Sequence, residues 1–452
     1  MQFRLSLAVV LAAVTTAMSA SGQQPWTADR RYGEGIGIRT GDVELHPGVS
    51  GEFGYDSNYF QRSPDEGPVS ALRLRVTPSF SLSTIGAQRR EAAGLGEPPK
   101  VNFRTGLYVS YNELFGSSEV SAQRHFAAGA DLKLDVMPER PWGFDAYGNL
   151  VRTVEPNNQG QADYFFDRDA LSVGAGINWR PGGGLFEWRL GYELRYNFFE
   201  RPNFNNLTNA QHVINTRGRW RFLPRTALIY DAEYAFIRYL VGPTPHNSGD
   251  RLQARLGLNG LVSNHFALLA MGGWAQSYYI PTGVDQARNY DGFVAHAELK
   301  WFLIPQLTLE PTAAPVGLSS IAVGYIRQYD NSYLGDFQRS DKGYVNFEYF
   351  IGGTVLLSMQ GDYTHISYPT SFDTNGQLAP SFGENRAHIQ LYGEYRVSDT
   401  IGINSTLGYD ANLTKNRVPT NSLDRVCSRR FSTCDQTWFS RFRAWIGARW
   451  FM

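Results

Sequence analysis

Apolar and polar residues take turns along most of this chain. Between 185 and 198 the alternation is unbroken. Phe186, Trp188, Leu190, Tyr192, Leu194, Tyr196 and Phe198 fall on one parity, and Glu187, Arg189, Gly191, Glu193, Arg195 and Asn197 on the other. A β-strand sends successive side chains to opposite faces, so this segment reads as a strand with one apolar and one charged face. The pattern returns elsewhere. Phe126 and Leu132 oppose Asp131, Lys133 and Asp135; Trp220 and Phe222 oppose Arg217, Arg219 and Arg221; Leu252, Leu256 and Leu258 oppose Arg251 and Arg255; Ile389, Leu391 and Tyr395 oppose Arg386, Glu394 and Arg396. Strands are predicted to start near Glu44, Val69, Val101, His125, Gly143, Arg168, Leu185, Gln211, Thr226, Arg251, Phe266, Tyr290, Leu318, Lys342, Thr354, Arg386, Thr400 and Trp438. The count is about 18, within roughly 16–18.

A soluble sandwich also alternates, but it faces its apolar residues inward. Many long strands with aromatics at their ends (Tyr196, Phe198 and Phe199; Trp301 and Phe302) fit a lipid-facing exterior with aromatic girdles. The predicted fold is all-β, a transmembrane antiparallel up-and-down β-barrel. Its connections alternate in length. Short turns at Pro181–Gly184, Pro224–Arg225, Ser263–His265, Ile351–Gly353 and Ser398–Asp399 belong to the periplasmic end. Longer polar loops, such as Asp56–Pro68, Ser367–Glu384 and Leu413–Thr437, belong outside. Thr84–Lys100 and Pro305–Gly317 break the rule by being long on the short side. Insertion is the favoured reading over docking of a periplasmic partner, because loops gain length cheaply.

The ends of the sequence refine this picture. Arg4, the apolar run Leu5–Val14 and the small residues up to Gly22 have the layout of a secretory signal peptide. The expected division is residues 1–22 as signal peptide, 23–42 as a short periplasmic lead and 43–452 as barrel. At the other end, Phe442, Ala444, Ile446, Ala448, Trp450 and Met452 alternate with Arg441, Arg443, Gly447, Arg449 and Phe451. The Gly447-x-x-Trp450-x-Met452 ending resembles the signal recognised by the barrel-assembly machinery, with Met in place of the usual terminal aromatic.

Composition agrees. The 452 residues include 25 Tyr, 28 Phe and 10 Trp, yet mean hydropathy is −0.34. Strand alternation hides a barrel from hydropathy averaging. With 42 basic against 42 acidic residues there is no nucleic-acid footprint. Cys427 and Cys434 are the only cysteines, and in a secreted chain they are expected to form a disulfide.

No catalytic constellation appears. The eight histidines are scattered, no HExxH or GxSxG motif occurs, and no cofactor is implied. The polar face is the informative surface. Projected inward it carries Arg73, Arg75, Arg104, Lys133, Arg189, Arg195, Arg217, Arg219, Arg221, Arg251, Arg255, Lys300, Arg386, Arg396 and Arg443, interleaved with Glu187, Glu193, Asp231 and Glu233. Rings of fixed charge tune what passes a pore, and opposite charges on neighbouring strands also pair. The run Arg217, Arg219, Arg221 is the least neutralised. Tyr108, Tyr392 and Trp445 are candidate inward aromatics for contact with sugar.

The stretch Leu45-His46-Pro47-Gly48-Val49-Ser50-Gly51-Glu52-Phe53-Gly54-Tyr55-Asp56-Ser57-Asn58-Tyr59-Phe60 resembles the opening of the β-barrel porin family linked to exopolysaccharide secretion. The resemblance implies an integral outer-membrane barrel that pairs with a short periplasmic polysaccharide-export protein and exports a polysaccharide. Diffusion or uptake of solutes is the alternative, and a barrel enzyme or adhesin a third reading. Outer-membrane lipid is the expected surrounding in each case.

Overall fold

The alternating segments pair edge to edge in the order in which they occur. The computed structural model describes residues 37–452, apart from 86–99, 139, 157–164, 201, 243–247, 281–287, 304, 307–315, 318, 333–335, 352–353, 373–377, 380 and 420–433. Eighteen long strands form one antiparallel sheet. They are β1 (Val43–Asp56), β2 (Ala71–Thr84), β3 (Val101–Phe115), β4 (His125–Val136), β5 (Trp142–Pro156), β6 (Phe165–Trp179), β7 (Phe186–Phe199), β8 (Asn209–Leu223), β9 (Thr226–Tyr239), β10 (Gly249–Leu261), β11 (Phe266–Tyr279), β12 (Asp291–Phe302), β13 (Ser320–Asn331), β14 (Phe337–Ile351), β15 (Val355–Tyr368), β16 (Phe382–Arg396), β17 (Ile401–Asn412) and β18 (Phe439–Phe451). Each pairs with its sequence neighbours, and β18 returns to pair with β1 from Gly48↔Phe451 to Asp56↔Arg443. The sheet is therefore a closed barrel. A short strand, Ile38–Thr40, folds back on the start of β1 as an extra piece.

The starts of the strands match the sequence pattern closely, with two informative offsets. β14 begins at Phe337 rather than near Lys342, and β16 at Phe382 rather than near Arg386. Both extensions lie at the long-loop end. There Gln338, Arg339, Glu384 and Asn385 continue the backbone ladder with no apolar face. Above the bilayer the outward face no longer has to be apolar, so the alternation fades before the pairing does.

The outer face is apolar all the way round. Phe53, Leu74, Leu107, Phe126, Leu150, Ile177, Leu190, Ile214, Leu256, Phe293, Val323, Leu391, Leu407 and Ile446 are all exposed. This many exposed large apolar side chains is untenable in water and is what a lipid-facing band requires. Strands of 12–15 residues exceed the ~9–11 needed to cross a bilayer at barrel tilt. At the long-loop end the outward face turns amphipathic. Tyr234 donates to Asp250, which also pairs with Arg238 at 3.0 Å; Tyr325 and Arg327 converge on Asp341. Such side chains suit the headgroup level. No described helix is long and apolar enough to cross a membrane, so crossing falls to the strands. The protein is an outer-membrane β-barrel.

Closure is reinforced by side chains. Pro47 has no N–H to offer, and it stands one residue before seam pairing begins at Gly48; its carbonyl accepts from the Met452 amide. His46 Nδ1 lies 2.9 Å from the Met452 carbonyl. At the other end of the seam, Arg441 Nε is 2.9 and 3.0 Å from the two Asp56 carboxylate oxygens, and Arg73 is 3.6 Å away. Asp56, Arg73 and Arg441 are almost fully buried.

Two predictions follow from this architecture. Leu256→Arg, on the lipid face of β10, should cost about 2–4 kcal/mol in unfolding from lipid vesicles by urea. Asp56→Ala, which leaves Arg441 buried without its carboxylate, should cost about 3–5 kcal/mol and lower the temperature at which the band shifts in heat-modifiable gel migration.

Candidate functional site: the lumen wall

With the apolar parity turned to lipid, the other parity of every strand faces the lumen. Each basic and acidic residue projected inward from the sequence lies on that parity. The structure then divides them by what they hold.

Most are tied down in cross-strand ion pairs. On the seam side, Glu52 accepts from Arg75 at 2.9 Å and from Asn404 at 3.0 Å. Glu394 takes Arg449 at 2.5 Å, with Arg396 at 3.5 Å. Arg443 pairs with Asp410 at 2.6 Å, and Arg386 with Glu384 at 2.8 Å. Across the lumen, Glu233 bridges Arg195 (3.1 Å) and Arg251 (2.5 Å); Arg195 also holds Glu193 at 2.9 Å. Arg251 reaches Asp330 at 3.3 Å, and Arg255 holds Asp231 at 2.9 Å. Arg189 makes a two-pronged pair with Asp145 at 2.8 and 2.7 Å and donates to Asn215 at 2.6 Å. Arg219 holds Glu187 at 2.5 Å. Bidentate guanidinium–carboxylate geometry of this kind fixes both partners against the wall.

A smaller group is freer. Lys133 is 3.0 Å from Asp135, but its side chain is 57% exposed to the lumen. Lys300 lies over the Phe302 ring at 5.6 Å. Arg104, which stands across from Lys133 on the β3–β4 pair, is engaged with the wall and does not belong to this group. Arg217 and Arg221 have no carboxylate partner among the described residues, in contrast to Arg219 between them.

The inward aromatics are part of the wall. Trp445 lies flat over Gly54, where a built Cβ would come within 2.4 Å of its ring; its ring is covered by the Arg73 and Arg75 guanidiniums at 4.9 and 4.3 Å. Tyr392 donates to Glu394 and is 5% exposed. Both rings are largely covered by their neighbours, so little of either is presented to the lumen. Tyr108 sits over Gly129 in the same way and keeps partial exposure.

One long connection also turns inward. Residues 57–70 bring Tyr59 and Phe60 onto the inward-facing Ala71 and Leu114, together with Val120 of the short helix α1 (Ser118–Ser121). Asn58 fastens the loop by donating to the carbonyls of Arg62 (2.7 Å) and Ser440 (3.1 Å). The backbone amide of Gln436 donates to Glu66 at 3.2 Å, tying a third segment to it. The seam side of the lumen is thus capped at the long-loop end.

The sequence projection left out Glu52, Asp56, Asp330, Glu384 and Asp410, carboxylates that complete these networks. Asp56 and Glu384 fall in segments that the sequence pattern assigns to loops. Their signal was parity, since each falls an even number of residues from an inward position of its own strand. Cys427 lies outside the described residues, and so does the proposed disulfide with Cys434. Residues 1–36, including the proposed signal peptide, and most of the two long short-side connections also lie outside them. Among the described residues no group of three metal-ligating side chains is found.

No family model matches the chain, and no curated protein matches it in sequence. Among solved structures it is similar to the outer-membrane protein OpdK of Pseudomonas aeruginosa, at 12% identity and a TM-score of 0.46, covering 90% of this chain and 99% of that one. It is similar to OccAB4 of Acinetobacter baumannii at 9% identity and a TM-score of 0.44, covering 90% and 98%. A bacterial polysaccharide outer-membrane secretin aligns at 8% identity and a TM-score of 0.33, covering 91% and 99%.

The glycine beneath Trp445 gives a direct test of that wall. Gly54→Ala should cost about 1–3 kcal/mol by overpacking. Gly51→Ala, with nothing within 4 Å of its Cβ, should stay within about 0.5 kcal/mol. Urea unfolding of both variants from vesicles measures the difference.

Proposed function

We propose that this protein is an outer-membrane channel through which small hydrophilic solutes diffuse. The observation that carries the proposal is a closed barrel of eighteen strands whose inner face is polar and charged along its length. Barrels of this strand number enclose an aqueous channel. The wall supports small solutes over a threading polymer in two ways. Most of its arginines are fixed in place by carboxylates, and its seam-side aromatics are covered. A long glycan would instead gain from open ring faces along its path.

Export of a polysaccharide with a periplasmic export protein is the second reading, favoured by the resemblance over residues 45–60. Within that stretch Asp56 and Asn58 have structural duties, closing the seam and fastening the inward loop. These duties account for the two residues whether or not a glycan passes.

In a deletion strain, the diffusion reading expects slower uptake of small hydrophilic solutes with surface polysaccharide unchanged, and uptake restored by the intact gene. Loss of surface polysaccharide with unaltered uptake would replace it with the export reading.

A further inference from the structure

On the lower half of β8, two arginines have no carboxylate ion pair among the described residues. Arg217, Arg219 and Arg221 project to the lumen at alternate positions, roughly 6.8 Å apart along the strand. Arg189 faces Arg217 across the β7–β8 ladder, and Glu187 faces Arg219. On the β7 side the described carboxylates are both committed: Asp145 to Arg189, and Glu187 to Arg219. On the β9 side, Asp231 lies across from Arg217, but its oxygens are held by Arg255 at 2.9–3.1 Å. Arg180, where β6 meets its turn, spends a donor on the Pro138 carbonyl and brings no negative charge.

We infer that Arg217 and Arg221 form an anion site at the short-turn mouth of the lumen, and that it selects small solutes bearing a carboxylate or phosphate. The inference rests on the channel reading above and adds the class of solute. A guanidinium presents a planar fork of donors that matches an oxyanion, and these two have theirs unspent. Neighbouring arginines raise the local potential, and a lumen with low-dielectric walls focuses it. The two free cations flank the neutralised Arg219–Glu187 pair, so an anion handed from Arg221 to Arg217 moves inward along one strand. Chain geometry alone would not place three arginines here. A wall serving only stability would pair them, as it does at Asp145, Asp231 and Glu233.

The test is the reversal potential of the purified full-length barrel in a planar bilayer under a gradient of potassium acetate. Wild type should favour acetate over potassium. The R217Q/R221Q double variant should lower the acetate-to-potassium permeability ratio by about threefold or more, from the loss of two charges beside the path. Arg217→Lys with Arg221→Lys, which keeps both charges, should retain most of the preference, as should Arg225→Gln in the adjoining turn. Heat-modifiable gel migration checks that each variant is a folded barrel, and the single Arg221→Gln at the mouth gives the same reading should the double variant not insert. A conducting double variant with the wild-type ratio overturns this inference and leaves the channel reading standing. Absence of conductance in wild type overturns both.

Discussion

Everything in this structure depends on closing the sheet. A bilayer offers no water to backbone N–H and C=O groups, so a spanning sheet can have no open edge. The two strands that must meet, β1 and β18, are nearly four hundred residues apart in sequence, and loop closure over that length is entropically costly. The join carries compensating interactions accordingly. Its backbone ladder is flanked at one end by His46 on the Met452 carbonyl and at the other by Arg441 on Asp56. Gly54 lets the Trp445 ring lie flat against the join, and that ring in turn supports Arg73 and Arg75. Removing a buried carboxylate from such a set strands its guanidinium, which is the most costly change this wall can suffer.

The same logic governs the lumen. Its polar face needs no apolar partner, yet arginines turned loose there would be mobile and mutually repulsive. Cross-strand pairing resolves this, with single carboxylates holding two cations at Glu233 and Glu394. Paired side chains lie along the wall and present little net field to the bore. What a solute meets is therefore set less by the number of inward charges than by those left over. This distinction changes which residues matter: Arg189, Arg251 and Arg255 are parts of the wall, while Arg217 and Arg221 are the ones the proposed anion site rests on.

Much of this was legible in the sequence, and the reason is geometric. Period-two alternation gives parity, and parity alone assigns every strand residue to lipid or lumen, so Arg189 and Leu190 could be placed without a structure. Strand number followed from the same signal. Partnership was less legible, because the register between neighbours decides it. Glu233 meets Arg251 from β10 and Arg195 from β7, a strand it does not adjoin, and no local pattern announces either contact. The weakest point was the strand ends beyond the bilayer. Asp56 and Glu384 looked like loop residues because no apolar neighbour marks the parity there.

The barrel is also uneven around its circumference, and that unevenness bears on its working path. Around the seam, β1–β3 and β16–β18 carry the buried networks, and the loop 57–70 folds in over them with Tyr59 and Phe60. On the far side, β8 carries the two arginines that have no carboxylate partner among the described residues. A solute entering from the short-turn end is repelled by nothing at β8 if it is anionic, and it finds the opposite wall already filled. Packing and charge thus point to one side of the lumen. The seam is built to hold, while β8 keeps two guanidiniums that no described carboxylate satisfies.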